Sequence, residues 1–167
     1  MKNIMILGLL FTATVGYAQS TSENYIQSGT CLNGDCSKKT ETITYYDGLG
    51  RAKQIVNVKA TATGKDLVTP VVYDGAGRQT KDILPVPVSS LNAAIHTGIV
   101  NENTANSYYG VANAYAEKEI ENSPLDRILQ QAHPGDDWKM GAGHTVKYRY
   151  EVNESSEVKK FLTITTT

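Results

Sequence analysis

The sequence has 167 residues, enough for one domain with a modest hydrophobic core. Its 16 basic and 17 acidic side chains give a formal net charge of −1, and no basic stripe is present, which argues against nucleic acid or an anionic membrane surface as a partner. Most of the aromatic residues are tyrosines, which suit half-exposed sheets and interfaces better than a deep core.

The first 18 residues have the pattern of a secretory signal peptide. Lys2 supplies the charged start, residues 4–15 form an apolar run, and Gly16-Tyr17-Ala18 is a small-residue cleavage site. The run is too short for a transmembrane helix, which needs about 20 apolar residues. We therefore expect export with cleavage after Ala18. The next residue, Gln19, is not the cysteine that a lipid-modified lipoprotein requires.

Residues 19–38 are polar and rich in serine and threonine, and we expect a poorly ordered lead-in there. Cys31 and Cys36 enclose Leu32-Asn33-Gly34-Asp35, and an Asn-Gly pair is typical of a hairpin turn. In an oxidising compartment the two cysteines can close this small loop as a disulfide. Two free thiols are the alternative, and two cysteines alone are a poor zinc signature.

An internal repeat then fixes the expected architecture. Tyr46-Asp47-Gly48-Leu49-Gly50-Arg51 recurs 27 positions later as Tyr73-Asp74-Gly75-Ala76-Gly77-Arg78. In each copy the aspartate can accept bonds from backbone N–H groups two residues further on, and the two glycines are free to adopt positive φ. Because β-branched and aromatic residues flank both copies, each copy predicts the tip of a β-hairpin.

A four-residue loop at each tip would place Tyr46 opposite Arg51 and Tyr73 opposite Arg78. We therefore predict that each arginine forms a cation–π contact with the tyrosine across its own hairpin, or hydrogen-bonds near it. The repeated set is assigned to the scaffold, because catalytic constellations are seldom duplicated whereas structural tips often are.

Residues 39–84 form four expected strands, with a link at Gly64-Lys65-Asp66. We expect Pro85-Val86-Pro87 to end the ladder, because proline donates no N–H. The segment at about 88–112 is Asn-rich and is expected to be a surface insertion, in which Ser89-Ser90 cap one helical turn at residues 91–95.

The tandem Tyr-Asp-x-x-Gly-Arg pattern resembles the YD-repeat, or Rhs, family of large secreted bacterial proteins. The family's N-terminal region has further features that are similar to Asn122-Ser123-Pro124-Leu125-Asp126-Arg127, Pro134-Gly135, Trp138 and Gly143-His144-Thr145-Val146. The likeness covers roughly residues 24–153. It implies a mainly β fold of antiparallel hairpin repeats that form part of a larger β-shell.

The resemblance makes Pro124, Asp126 and Arg127 a degenerate third tip. Residues 112–121 have high helix propensity when read alone, so helix and strand are both open there. The resemblance implies a strand over residues 115–121 that leads to the third tip.

The C-terminal part of the sequence also favours strands. Residues 144–152 alternate, with Val146, Tyr148 and Tyr150 on one face. The run 158–167 is β-prone, and we expect it to leave an open edge, in a chain truncated at its C-terminus, that pairs with other chains.

His133, His144, Asp136 and Asp137 are the candidates for a metal or acid–base cluster. Their spacing lacks a helical i, i+4 arrangement, so turn and strand positions account for them. The Gly-x-Gly of each tip is not followed by a helix whose N-terminus could bind phosphate. We therefore predict no catalytic, cofactor-binding or metal-binding residue, and no enzymatic activity.

The predicted function is that of a structural section of an exported YD-repeat protein, secreted or held at the surface of a Gram-negative bacterium. In the family it resembles, the shell encloses a C-terminal effector or toxin domain. The expected partners are further YD-repeat segments or other chains that dock on β-edges. The alternative is a cell-surface module that binds carbohydrate or protein through exposed Tyr and Asn side chains.

Overall fold

The computed structural model describes residues 22–90, 93–154, 157 and 161. The fold is mainly β, with two antiparallel sheets and one short α-helix, which confirms the predicted fold class. The predicted signal peptide lies outside the described residues, as does the run 158–167 except for Phe161. In the described part of the chain, no helix has the length and apolar character that a membrane crossing requires.

The described residues form nine strands, one α-helix and one short 3-10 helix. In chain order they are β1 Asn24–Cys31, β2 Lys39–Tyr46, β3 Ala52–Asn57, β4 Asp66–Pro70, β5 Lys81–Ile83, β6 Val86–Val88, α1 Glu102–Tyr109, β7 Tyr115–Ile120, β8 Ile128–Ala132, the 3-10 helix Asp136–Trp138, and β9 Val146–Lys147. The first sheet has the order β1-β2-β3-β4-β6, and the second has the order β5-β7-β8-β9.

Val71 joins the two sheets. Its backbone N–H donates to the carbonyl of Lys53 in β3 (3.0 Å). Val71 also forms an antiparallel bridge with Asp82 in β5. β5 and β6 lie on one short stretch of chain but pair with different neighbours, β7 and β4. Except that β4 pairs with β6 and β5 with β7, each strand pairs with the next one in the chain, as in a meander of hairpins.

Two expectations of irregular chain are wrong. The expected lead-in contains β1, all eight residues of which pair with β2. Cys31 and Cys36 are disulfide-bonded at the end of this strand.

Pro85-Val86-Pro87 does not end the ladder, because β6 pairs with β4. Since β6 is the last strand of its sheet, the missing N–H of Pro87 costs no central ladder bond.

The segment after β6 forms its helix later than predicted. Residues 93–95 are not helical, and Leu91 and Asn92 lie outside the described residues. α1 begins instead after Asn101, whose side chain accepts from the Thr104 N–H while the Thr104 hydroxyl accepts from the Asn101 N–H. This reciprocal pair is a capping box.

The same segment is not a surface insertion, because it supplies part of the hydrophobic core. Its buried residues pack against inward-facing side chains of the strands, and together they form one cluster: Ile43, Tyr45, Val56, Val68, Ile83, Val86, Ala93, Val100, Ala105 and Ala114. Residues 93–114 therefore cover one face of the first sheet. The strand predicted over residues 115–121 is confirmed as β7.

A buried set of three polar residues bonds residues 93–114, the cover of the first sheet, to its strands. The Gln54 side chain accepts from the His96 backbone N–H (2.8 Å) and donates to the His96 carbonyl (3.0 Å). The His96 ring bonds Asp66 (Nε2 to Oδ2, 3.1 Å), and the other Asp66 oxygen accepts from the Lys59 N–H (2.9 Å). We call Gln54, Asp66 and His96 the insertion clasp. Their exposed fractions are 6%, 0% and 1%.

Candidate functional site: the row of hairpin tips

The first tip is organised by one carboxylate. Asp47 Oδ1 accepts from the backbone N–H groups of Leu49 and Arg51, both at 2.9 Å, and Oδ2 accepts from Arg51 Nε at 2.8 Å. The backbone closes the turn, because the Gly50 N–H donates to the Asp47 carbonyl at 3.0 Å. The pKa of Asp47 is lowered, chiefly by the bond from the Arg51 backbone N–H.

The second tip repeats this arrangement atom for atom. Asp74 accepts from the backbone N–H groups of Ala76 and Arg78 and from Arg78 Nε, all at 2.9 Å. The Gly77 N–H donates to the Asp74 carbonyl at 2.9 Å. The pKa of Asp74 is likewise lowered, chiefly by the bond from the Arg78 backbone N–H. The repeat in the sequence is therefore a repeat in hydrogen bonding.

Both tips need a left-handed residue at the end of the turn, and the two glycines offer a matched experiment. Gly50 has φ 76° and Gly77 has φ 80°. A Cβ at Gly77 would lie 3.0 Å from Arg51 Nη1, whereas a Cβ at Gly50 would meet nothing within 4 Å. We expect Gly50→Ala to lower the free energy of unfolding by about 1–2 kcal/mol, the cost of the left-handed conformation for alanine.

Gly77→Ala should lower the free energy of unfolding more than Gly50→Ala does. The cost of the left-handed conformation is the same, and the new Cβ also lies close to the Arg51 side chain. Urea unfolding of the two variants and the parent measures both effects. Equal losses in the two variants would show that Arg51 moves away at no cost, and would contradict the fixed position assigned to its side chain.

The third tip is a modified copy. The Asp126 N–H donates to the Ser123 carbonyl (3.2 Å), and Asp126 takes the left-handed conformation with φ 48°. Ser123 Oγ accepts from the Leu125 N–H at 3.2 Å, as the aspartate does in the other tips. The arginine is held from outside the turn, because Glu121 accepts from Arg127 through Nε (2.9 Å) and Nη2 (2.8 Å).

The Glu121 carboxyl gives the third tip a pH dependence. Hydrogen bonds from the Arg127 side chain, and then from the Ser123 hydroxyl, lower its pKa from an ordinary value of 4.5 to about 2. Because the folded pKa is depressed, the stabilisation by this pair is complete above the ordinary value and is lost as the pH falls from there towards about 2. We expect NMR titration of the Glu121 carboxyl carbon to show this low midpoint.

Arg127→Gln should return that midpoint towards 4.5, since the largest cause is removed. In Glu121→Gln, the free energy of unfolding should lose less as the pH falls from 4.5 towards about 2, because the carboxyl that takes up the proton is absent. A Glu121 midpoint near 4.5 in the parent chain would contradict the pairing.

The predicted cation–π contact within each hairpin is wrong, because the pairing at the tip is shifted by one residue. Arg51 lies opposite Asp47, and Tyr46 pairs with Ala52. The Arg51 guanidinium instead lies over the ring of Tyr73, 4.5 Å from its centroid, in the next hairpin. The Tyr73 hydroxyl donates to the Ala52 carbonyl at 2.8 Å. The first and second hairpins are therefore joined at their tips.

The next arginine also reaches the following hairpin. Arg78 Nη1 bonds Asp126 Oδ1 at 2.9 Å and the Glu121 carbonyl at 3.5 Å. Arg127 lies over the ring of Tyr150, 5.0 Å from its centroid, beyond β9. We call residues 47–51, 74–78 and 123–127 the tip row, because each arginine of the three links its own hairpin to the chain that follows.

The family comparison agrees with a single unit of this extent. The family described as Domain of unknown function (DUF6443) matches residues 18–152, which is most of the chain. The chain belongs to the DUF6443 family. Comparison with characterised proteins and with solved structures found no match.

The histidine and aspartate candidates of the DUF6443 chain serve local structure. Asp136 Oδ1 accepts from the Ala112 N–H at 2.8 Å, and the His133 N–H donates to the Trp138 carbonyl at 3.2 Å. His144 Nδ1 donates to the Asp137 carbonyl at 2.8 Å. Within residues 22–154 as described, no group of three or more His, Cys, Asp or Glu side chains could hold a metal ion.

Sequence reasoning found the tips but missed several of the groups that hold them in place. Glu121 was not identified as the partner of Arg127, because it precedes the turn instead of opening it. Tyr150 was assigned only to a strand face. Gln54 and His96 carried no motif at all. The sequence signal that could have identified Glu121 is an acidic residue a few positions before each tip arginine. Glu121 precedes its arginine by more residues than the aspartates of the other two tips do.

Proposed function

We propose that this DUF6443 chain is a non-enzymatic structural section of an exported YD-repeat, or Rhs-type, protein, and that its hairpins form part of a β-shell. In the proteins it resembles, such a shell encloses a C-terminal effector or toxin domain. The observation that carries the proposal is the tip row, in which the arginine of each hairpin contacts the chain that follows it.

The chemistry of the tips supports a scaffold and not a reactive site. The guanidinium of each tip arginine is bonded to a carboxylate, in the pairs Asp47–Arg51, Asp74–Arg78 and Glu121–Arg127. Such charge-assisted pairs fix geometry and leave few lone pairs or N–H groups for a substrate. The tips therefore link neighbouring hairpins and hold them in place.

The topology supports the same role. A meander in which strands succeed each other in chain order grows by adding hairpins at its last strand, without rearranging the existing ones. Here β1 is an edge strand of the first sheet and β9 is an edge strand of the second. Each added hairpin would pair with the preceding one along its strands and at its tip.

The experiment uses the full product of the reading frame that contains these residues, purified from its host. We expect it to contain further Tyr-Asp-x-x-Gly-Arg tips and to form a hollow particle by electron microscopy. Arg78→Ala should make this particle more sensitive to protease, because Arg78 joins two hairpins. Arg149→Ala is the matched control, since Arg149 is 86% exposed and forms its ion pair with Glu151, two residues further along the same segment.

A different result would overturn the proposal in favour of a binding module. That result is a product of only this domain that is a monodisperse monomer and binds a defined glycan. Trp138, which is 50% exposed, is the ring on which a sugar would stack. Loss of glycan binding in Trp138→Ala, with binding kept in Arg78→Ala, would establish the alternative.

A further inference from the structure

Tyr150 contacts the third hairpin in the way that Tyr73 contacts the first. Tyr73 lies under the Arg51 guanidinium and donates its hydroxyl to the Ala52 carbonyl. Tyr150 lies under the Arg127 guanidinium, and its hydroxyl donates to the carbonyl of the residue after that arginine, Ile128, at 3.0 Å. The same ring thus meets the same two groups in both places.

The backbone repeats the relation two residues earlier. In the first hairpin Tyr45 pairs with Gln54 and Tyr46 with Ala52, so Lys53 is the extra residue of a bulge, and its carbonyl accepts from the Val71 N–H at 3.0 Å. In the third hairpin Glu119 pairs with Gln130 and Ile120 with Ile128, which makes Leu129 the extra residue. The Leu129 carbonyl accepts from the Tyr148 N–H at 2.9 Å. Residues 148–150 therefore dock as residues 71–73 do.

After Tyr150, Glu154 and Glu157 form the backbone bond that is common to the tips. The Glu157 N–H donates to the Glu154 carbonyl at 3.1 Å, which is the bond between the first and fourth residues of the turn in all three tips. The Glu157 carboxylate adds a bond from the Glu154 N–H at 2.8 Å. Since Tyr73 is followed by a tip and a returning strand, the equivalence of Tyr150 implies a tip and a returning strand after it.

We propose that residues 146–157 are the outgoing strand and turn of a fourth hairpin, and that the outer edge of β9 is the docking surface for residues 158–167. Ten residues extend about 33 Å as a strand, which is long enough to run beside residues 146–153. Their sequence is rich in β-branched residues and contains no proline or glycine. The docking continues the pairing that already joins β7, β8 and β9.

The geometry of β9 makes the proposal testable at single amides. The Tyr148 N–H points towards β8, because it bonds the Leu129 carbonyl. Neighbouring N–H groups alternate along a strand, so that of Lys147 points to the outer edge, and in the proposed longer strand that of Arg149 does the same. Only a further strand on that edge would protect the Lys147 and Arg149 amides from exchange while β8 protects Tyr148.

The experiment is hydrogen exchange, resolved at single residues by NMR, on the mature chain and on the same chain ended at Glu157. In the longer chain we expect the amides of Lys147 and Arg149 to be protected. In the shorter chain their protection should fall at least about tenfold, whereas that of Tyr148 should change little. Ile164→Pro in the longer chain should give the same loss without any truncation, because proline in the returning strand disrupts its pairing.

Two results would overturn the proposal. Free exchange at Lys147 and Arg149 in the longer chain would show that no strand covers the edge. Protection that persists in the shorter chain would assign the edge to another occupant, and a dependence on protein concentration would identify a second copy. The inference deepens the proposed function by naming its next hairpin, but the readout is local. The proposed fourth hairpin can therefore be contradicted although the shell particle forms. It can also be supported by hydrogen exchange although no shell forms.

Discussion

Replacing Asp66 by alanine is expected to lower the free energy of unfolding by about 3–5 kcal/mol, the usual cost of removing one partner from a buried ion pair or hydrogen-bonded pair. Asp66 is fully buried and accepts from the Lys59 N–H and from the His96 ring. Alanine would leave both of these groups without an acceptor inside the protein, where an unsatisfied polar group costs about 1–3 kcal/mol. Urea unfolding followed by circular dichroism measures the change.

Asp66→Asn is the matched control, because asparagine keeps one carboxamide oxygen for the Lys59 N–H and fills the same volume. We expect it to cost clearly less than alanine. A double-mutant cycle with Gln54→Ala then tests whether the insertion clasp acts as a unit, since both residues hold His96. Strict additivity of the two losses, or an alanine variant as stable as the asparagine variant, would contradict this role.

The tips of the fold could be predicted from sequence because their chemistry is local. Asp47 and Arg51 lie four positions apart, and every bond of that turn is made within the same six residues. The aspartate, the glycine with positive φ and the flanking strands are all visible as residue types at fixed offsets. The same reasoning located the second tip, whereas the strand before the third tip was expected only from the family resemblance.

The links between hairpins could not be predicted, because they depend on how hairpins lie beside one another. Arg51 and Tyr73 are 22 positions apart, and the hairpin that carries Arg51 pairs through a one-residue bulge at Lys53, with Arg51 opposite Asp47 instead of Tyr46. A bulge leaves little trace in a sequence of mixed polar and apolar residues. A one-residue error in register was enough to assign the arginine to the wrong tyrosine.

The cover of the first sheet was missed for a different reason. Residues 93–114 contain small and polar residues with no clear period, which is typical of a surface loop. Ala93, Val100 and Ala105 are nevertheless buried, because small side chains fit close to a sheet. His96 is a lone histidine whose partners lie in strands of the sheet, 30 and 42 positions away. No motif connects such residues before the chain is folded.

Tyr45 provides the second large effect, and it tests whether this cover is part of the core. The side chain is fully buried, and its hydroxyl donates to the Ala93 carbonyl at 2.5 Å. Tyr45→Ala removes a large aromatic ring from the contact between the sheet and residues 93–114, so we expect a loss of about 3–5 kcal/mol in the free energy of unfolding. Tyr45→Phe should lose only about 1 kcal/mol, because it removes the hydroxyl and keeps the ring.

Tyr46→Ala is the control from the same strand. Successive side chains of a strand point to opposite faces, so Tyr46 lies on the face that residues 93–114 do not cover, and it is only partly buried. We expect it to cost much less than Tyr45→Ala. If the two alanine variants lost equal stability, the cover would contribute nothing to the fold. A large difference instead means that residues 93–114 cap one face of the sheet within this chain, so that its other face, its strand edges and its tips are left to join a larger shell.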